Sequence, residues 1–268
     1  MSFCLRGILL SNAVCWAAFE RVGLGSYKKA ALSWLFRGSQ LLWPWLLPVS
    51  ILLVLRHYGI TEVLGGDDSD RPRANVTQRM FGAHKVFDKK TGGYFNGQVV
   101  VLFLITPKVS LPVGFRCYQP DPALKEWKQP EEELKQPGVK KSERPPRPEP
   151  QAAYPSQQQL LLVLLEECTC YPPGLVVKVI LAEALSGSGG FMNRAAAVCG
   201  TQTISQLAQS QTVRVRPRDL AVAQYFATYP GVEMTLRIRG FKEVKVVLGS
   251  ARWYVKAHQQ QRFVVALK

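Results

Sequence analysis

Two periods of apolar residues share this chain, and the places where one gives way to the other divide it. Over residues 1–57 apolar residues recur three and four apart, and Gly23 and Gly25 break the run. That spacing predicts a helical N-terminal region with a second helix through Ala30–Phe36. The uncharged run Ser39–Leu55 carries Pro44 and Pro48 and is flanked by Arg37 and Arg56. Its length is at the bottom of the membrane-spanning range of about 17–25 residues. It reads as a buried packing helix, kinked or restarted at its prolines, and not as a span.

The period then shortens. A strand is expected at Thr61–Leu64, running into Gly65-Gly66-Asp67-Asp68-Ser69-Asp70. Lys89-Lys90-Thr91-Gly92-Gly93 is a hairpin signal. Val99–Ile105 reads as a fully buried strand, with Val109–Tyr118 paired beside it. Residues 119–155 hold nine of the eighteen prolines, with seven basic and seven acidic residues. This composition predicts an exposed, largely irregular excursion or linker with one short helix around Leu124–Trp127. Helix resumes at Gln157–Cys168 behind Ser156, a candidate N-cap.

The next stretch is the most informative. A strand, Val176–Leu181, delivers Glu183 to its end, a Gly/Ser loop follows from Gly187 to Gly190, and Phe191–Val198 looks helical. From Thr201 the pattern is β-rich: Thr201–Leu207, Thr212–Arg216, Met234–Arg239, Glu243–Leu248, Arg252–Ala257 and Phe263–Leu267, with a short helix at Asp219–Ala227. The order predicts an α/β fold. Its parts are a helical region 1–57, a mixed-sheet core made of 58–118 and 156–200, the excursion 119–155, and a β-rich insertion subdomain 201–268.

Charge narrows the function. The net charge is +15, and it is concentrated. Residues 71–117 carry eight Lys/Arg against one Asp, net +7, and residues 201–268 carry eleven against three acids, net +8, so the remainder sums to zero. Two basic blocks around a neutral remainder fit a polyanion, nucleic acid first and an acidic membrane surface second. Arg214, Arg216 and Arg218 alternate along one expected strand, and Arg237 and Arg239 along another. Each set would share one face, a candidate DNA-facing row. Lys85 and His84 sit in a basic loop within reach of phosphate. Trp253 and Tyr254 read as core and rim of the insertion. The six cysteines make no C-x-x-C and there are three histidines, which argues against a zinc site and for reduced thiols in a cytosolic chain. The start of the chain has a thin basic n-region and no clear cleavage site, so no signal peptide is expected.

Asp67, Asp68 and Glu183 are the acids placed at expected strand ends beside core segments. Carboxylates converging from strand ends suit hard divalent cations. Two such cations about 3.5–4 Å apart activate a water or 3′-hydroxyl and stabilise the leaving oxygen in phosphodiester transfer. Residues 67–69 with AHKVFDKKTGGYFNGQ, LITPKVSLPVGFRCYQPDPALKEW, ILAEALSGSGGFMNRA, TQTISQL, RIRGFKEVKV and SARWYVKAH resemble the DDE transposases of bacterial insertion sequences, closest to the insertion sequence 4 group. The resemblance covers about residues 60–268. It implies an RNase H-like mixed-sheet core with a β-rich insertion, Mg²⁺ as cofactor, the DNA ends of an insertion sequence as partner, and a cytoplasmic, nucleoid-associated protein. It allows a dimer and implies neither a small-molecule substrate nor a membrane.

The resemblance puts the first catalytic and metal-binding acid on Asp68, with Asp67 as the alternative, and the second on Glu183. The chain departs from the family at four places. It reads Glu-Ala-Leu-Ser-Gly from Glu183 to Gly187, where members read Asp-Ala-Leu-Tyr-Gly, so both the acid and the residue at Ser186 differ. Gly65-Gly66 replaces branched aliphatics. The third acid, a Glu on a helix beyond the insertion near an Arg-Trp pair, has no counterpart before Lys268. The expectation is therefore a C-terminally truncated, inactive transposase remnant. The alternatives are a non-catalytic DNA-binding or regulatory fragment, or a chain active only when a C-terminal part is supplied in trans or by frameshift.

Overall fold

The computed structural model describes residues 16–23, 28–38, 43–60, 62–65, 84–87, 92, 94–106, 108–135, 138–169, 176–215, 218–238 and 242–268. The chain is mixed α/β and divides into two units, 1–47 and 48–268. The first unit holds α1 (Trp16–Val22) and α2 (Lys29–Gly38), and α3 (Trp43–Tyr58) begins in it. Ala18, Phe19 and Leu32 are its buried apolar residues. The Lys29 amide donates to Glu20 Oε2 at 3.1 Å, which ties the start of α2 to α1.

The described elements within residues 1–57 are helices, and the reading of the apolar run needs one correction. The apolar run is a single helix that continues through Pro48, and it is not buried throughout. Ile51 and Leu55 are buried, whereas Trp45 and Leu53 are exposed by more than half. Among the described residues no helix is long and apolar enough to cross a membrane.

The second unit is built on two sheets. The first contains β1 (Glu62–Gly65), β4 (Gln98–Ile105), β5 (Ser110–Tyr118), β6 (Val176–Ala182) and β7 (Gln202–Ser205), in the order β5-β4-β1-β6-β7. β5, β4 and β1 are antiparallel neighbours, and β6 and β7 run parallel to β1. Val100, Leu102, Leu104 and Ile180 fill its centre. The turn between β4 and β5 is closed by Thr106, whose hydroxyl donates to the Val109 carbonyl at 2.7 Å and accepts from the Val109 amide at 2.9 Å. Pro112 is tolerated in β5 because that strand is an edge and the register slips beside it.

The two core helices are α5 (Gln157–Thr169) and α6 (Gly189–Cys199). Ser156 caps α5 as its sequence foretold: its hydroxyl accepts from the Gln159 amide, and Gln159 Oε1 accepts from the Ser156 amide, a capping box. Leu160, Leu161, Leu162, Leu164 and Leu165 are buried. Gly114 lets α5 approach β5, since a Cβ there would lie 2.7 Å from Leu164 Cδ2. β6, α6 and β7 form a β–α–β unit with parallel strands, so residues 202–205 belong to the first sheet and not to the β-rich block in which the 201 boundary put them. The crossover helix returns the chain to pair beside β6.

The excursion is more ordered than its composition suggested. α4 (Pro122–Lys135) runs through Pro130, and a 3₁₀ turn follows at Lys141–Glu143. Buried Asp121 starts α4 by accepting from the Ala123 amide at 2.9 Å. Trp127 Nε1 donates to the Pro145 carbonyl and Arg144 pairs with Glu131 at 2.8 Å, which folds the proline-rich return onto the helix.

The hairpin signal falls between β2 (Lys85–Phe87) and β3 (Tyr94–Asn96), which are antiparallel. The second large sheet holds β8 (Thr212–Val215), β9 (Arg218–Ala221), β10 (Val232–Ile238), β11 (Lys242–Val255) and β12 (Gln260–Leu267), in the order β10-β11-β8-β9 with β12 on β11. Val213, Val222, Trp253, Val255 and Val264 form its core, with Tyr225 and Phe226 of α7 (Val222–Thr228) packed on it. The two strands expected at 243–248 and 252–257 are one, β11. Gly249 is no break but a point of contact, where a Cβ would meet Phe226 Cε1 at 2.5 Å.

Leu164→Ala is expected to cost about 2–5 kcal/mol of stability. Gly114→Ala costs less alone, and the double variant is less destabilised than the sum, because the smaller side chain makes room for the new methyl. Urea unfolding of the four proteins checks this; strict additivity would contradict the contact.

Candidate functional site

Glu183 follows the last residue of β6 directly, in extended conformation, and its side chain is exposed. Its carbonyl starts the 3₁₀ turn Ala184–Ser186, accepting from the Ser186 amide at 2.9 Å. The same carbonyl accepts from Ser205 Oγ at 2.8 Å, so the end of β7 fixes the backbone that carries the acid.

The loop after it is held from three further directions. Gly187 packs so close to β7 that a Cβ there would lie 2.5 Å from the Gln206 carbonyl oxygen. Ser188 caps α6 by accepting from the Phe191 amide at 3.3 Å, and its hydroxyl donates to Gln158 Oε1 of α5 at 3.1 Å. From the second sheet, His258 sits on Gly189, where a Cβ would come within 2.7 Å of the His258 Cα, and Arg262 donates to Asn193 Oδ1 of α6 at 2.5 Å. Ser186 is buried. This small, tightly cradled loop has no room for a larger side chain at Gly187 or Gly189.

β1 supplies the neighbouring strand end. Its register pairs Gly65 with Ile180, so β1 and β6 run out at the same end of the sheet. Glu183 is three residues past Ile180. Asp67, Asp68 and Ser69 lie outside the described residues, as do Arg216, Arg239 and the side chain of Lys85. Among the described residues no group of three or more His, Cys, Asp or Glu could hold a metal ion.

The arginine rows need correcting. Arg214, Arg216 and Arg218 were expected on one strand face. Instead the chain reverses between β8 and β9, so Arg214 opposes Asp219 and Val215 opposes Arg218. Arg214 reaches Asp219 at 3.5 Å and stacks over the Tyr254 ring, and Lys256 also pairs with Asp219. Those two cations hold the Asp219 carboxyl below its ordinary value, Lys256 more than Arg214. Sequence spacing alone could not show a turn at that point. Arg237 is exposed on β10 with Glu243 across from it in β11. His84 meets the Tyr118 ring edge-on at 5.9 Å, so it packs within the fold and does not point away as a loop residue would.

Sequence reasoning missed the part played by His258 and Arg262. Nothing in their local spacing marks them, because their partners stand some seventy residues earlier in the chain. Comparison with known proteins gives no match to a family model, to a curated protein or to a solved structure.

Gly189 and Gly190 make a sharp pair. Gly189→Ala drives a methyl into the His258 backbone and is expected to cost about 1–3 kcal/mol. Gly190 has open space around its would-be Cβ, so Gly190→Ala is expected to stabilise by about 0.4–1 kcal/mol. Chemical denaturation of both variants tests the docking; equal effects would contradict it.

Proposed function

We propose that this chain is a transposase-like protein of the DDE class whose RNase H-like core and basic surface engage DNA. One observation carries most of the weight. The five-stranded sheet has three antiparallel strands followed by two parallel ones, and Glu183 stands at the end of the strand that runs parallel beside β1. That strand order and those directions fit the expected core, with the second acid at the end of its fourth strand. The register of β1 and β6 supports a meeting of Glu183 with Asp68, which stands three residues past Gly65. Asp67 remains the alternative first acid.

Glu183 is open to solvent and offers the oxygen ligand that a hard cation takes. Glu183 and Asp68 would hold Mg²⁺, which when bound supplies Lewis-acid activation of a water or 3′-hydroxyl. The longer reach of Glu at this position displaces the carboxylate from where an Asp would hold it, which weakens octahedral coordination. With coordination weakened in that way, the reading for this chain is DNA engagement without cutting.

The basic blocks make the binding salt-sensitive. This chain is expected to shift duplex DNA at low salt, with affinity falling by at least tenfold between about 50 and 200 mM salt, and to leave the duplex un-nicked in Mg²⁺ or Mn²⁺. Fluorescence anisotropy and a plasmid-nicking assay check both. No binding at low salt would overturn the DNA reading. Metal-dependent nicking abolished by Asp68→Ala would overturn the inactive one.

A further inference from the structure

The second sheet meets the Glu183 loop and the start of α6 through His258 and Arg262. His258 closes the 3₁₀ turn Lys256–His258 between β11 and β12, is buried, and has its Nδ1 enclosed without a hydrogen-bond partner. Its Cα, Cβ and Cγ would lie 2.7, 3.0 and 3.2 Å from a Cβ placed on Gly189, so a larger residue at 189 would part the two surfaces. Arg262 of β12 lies next to it, with Nη2 on Asn193 and Nε buried without a partner.

We propose that His258 is a pH-sensitive latch that holds the second sheet on the loop following Glu183 while its imidazole is neutral and releases that loop when it is protonated.

The surroundings are built against a second positive charge. Arg262 is the charge that acts on His258 from β12. Lys256, on the same turn, is engaged with Asp219, and so is Arg214 of β8, the strand packed on that turn. The facing part of α6 offers Gly189 and neutral Asn193, with Arg194 exposed. Asp219, the nearby carboxylate, is committed to those two cations. Burial, then Arg262, pushes the His258 imidazole below its ordinary value, and a hydrogen bond with the Gly187 backbone opposes them in part. The sign follows. A docked imidazole with a depressed pKa stays neutral, while an undocked one takes up a proton near the ordinary value of about 6.5. Docking is thus complete above that value and weakens as the pH falls through it towards the lower docked value.

The test is hydrogen exchange on the intact chain at about pH 7.5 and about pH 5.5, with exposure times scaled for the intrinsic rate. Peptides covering Ser188–Cys199 should lose protection several-fold at the lower pH, while α5 keeps its own. His258→Gln should remove that difference between the two pH values. Asn193→Ala should weaken protection at both and leave the difference in place. A matching NMR titration should find one imidazole, absent from His258→Gln, titrating below the ordinary value of about 6.5. Equal protection of α6 at both pH values in the natural sequence, a pH response retained in His258→Gln, or a His258 imidazole titrating at its ordinary value would each overturn the latch. None of these readouts depends on DNA binding or on Asp68, so the latch can fail while the proposed function stands, and the reverse.

Discussion

The parallel pairing of β1 with β6 is the constraint on which the rest of this structure depends. β1 is only four residues long, so it cannot secure its place by its own length. It is held on one side by antiparallel β4 and on the other by β6. A parallel neighbour cannot follow through a tight turn. The described residues between β1 and β6 form two hairpins, α4 with its proline-rich return, and α5 before the chain comes back to β6. That long detour makes the pairing a non-local contact, and the leucine-rich face of α5 packs beside it on β4 and β5. Leu164 packs over Gly114 because that position lacks a side chain.

The second consequence of that pairing is local. Once β6 is fixed, its end is not free to wander. Ser205, Gln206, Gln158, His258 and Arg262 all converge on residues 183–193 after it, from β7, α5 and the second sheet. An acid placed on such a loop is held in backbone position even though its side chain is open to water. A glutamate at the end of a firmly held backbone differs from an aspartate there by one methylene, which adds reach and one rotatable bond.

Much of the first sheet was legible in the sequence. Val99–Ile105 and Val176–Leu181 are short apolar runs bounded by turn signals, and Ser156 with Gln159 is a capping box that needs no tertiary context. The errors share a cause. β7 looked like the start of the β-rich block because its pairing with β6 is set by the intervening helix and not by its own residues. β11 looked like two strands because Gly249-Ser250 reads as a break, and only the Phe226 ring explains the glycine. The arginine row dissolved because a reversal between Val215 and Arg218 leaves no mark on the alternation. α4 outruns the short helix expected around Leu124–Trp127 because its cohesion is tertiary: Trp127 donates to the Pro145 carbonyl and Glu131 pairs with Arg144, both partners well beyond the helix. Of the candidate site, Glu183 and its loop were legible from the strand-acid-glycine order, whereas the side chains that hold the loop were not.

The proposed function requires the end of β1 and the end of β6 to bring Asp68 and Glu183 together. Adjacent strands lie about 4.8 Å apart, and a disulfide closes when the Cα atoms are about 4.4–6.8 Å apart. In a chain whose six native cysteines are replaced, Asp68→Cys with Glu183→Cys should therefore oxidise readily to an intramolecular disulfide. Asp68→Cys with Ser205→Cys, one strand further away, should not. Failure of the first pair to close, or equal closure of both, would contradict the account.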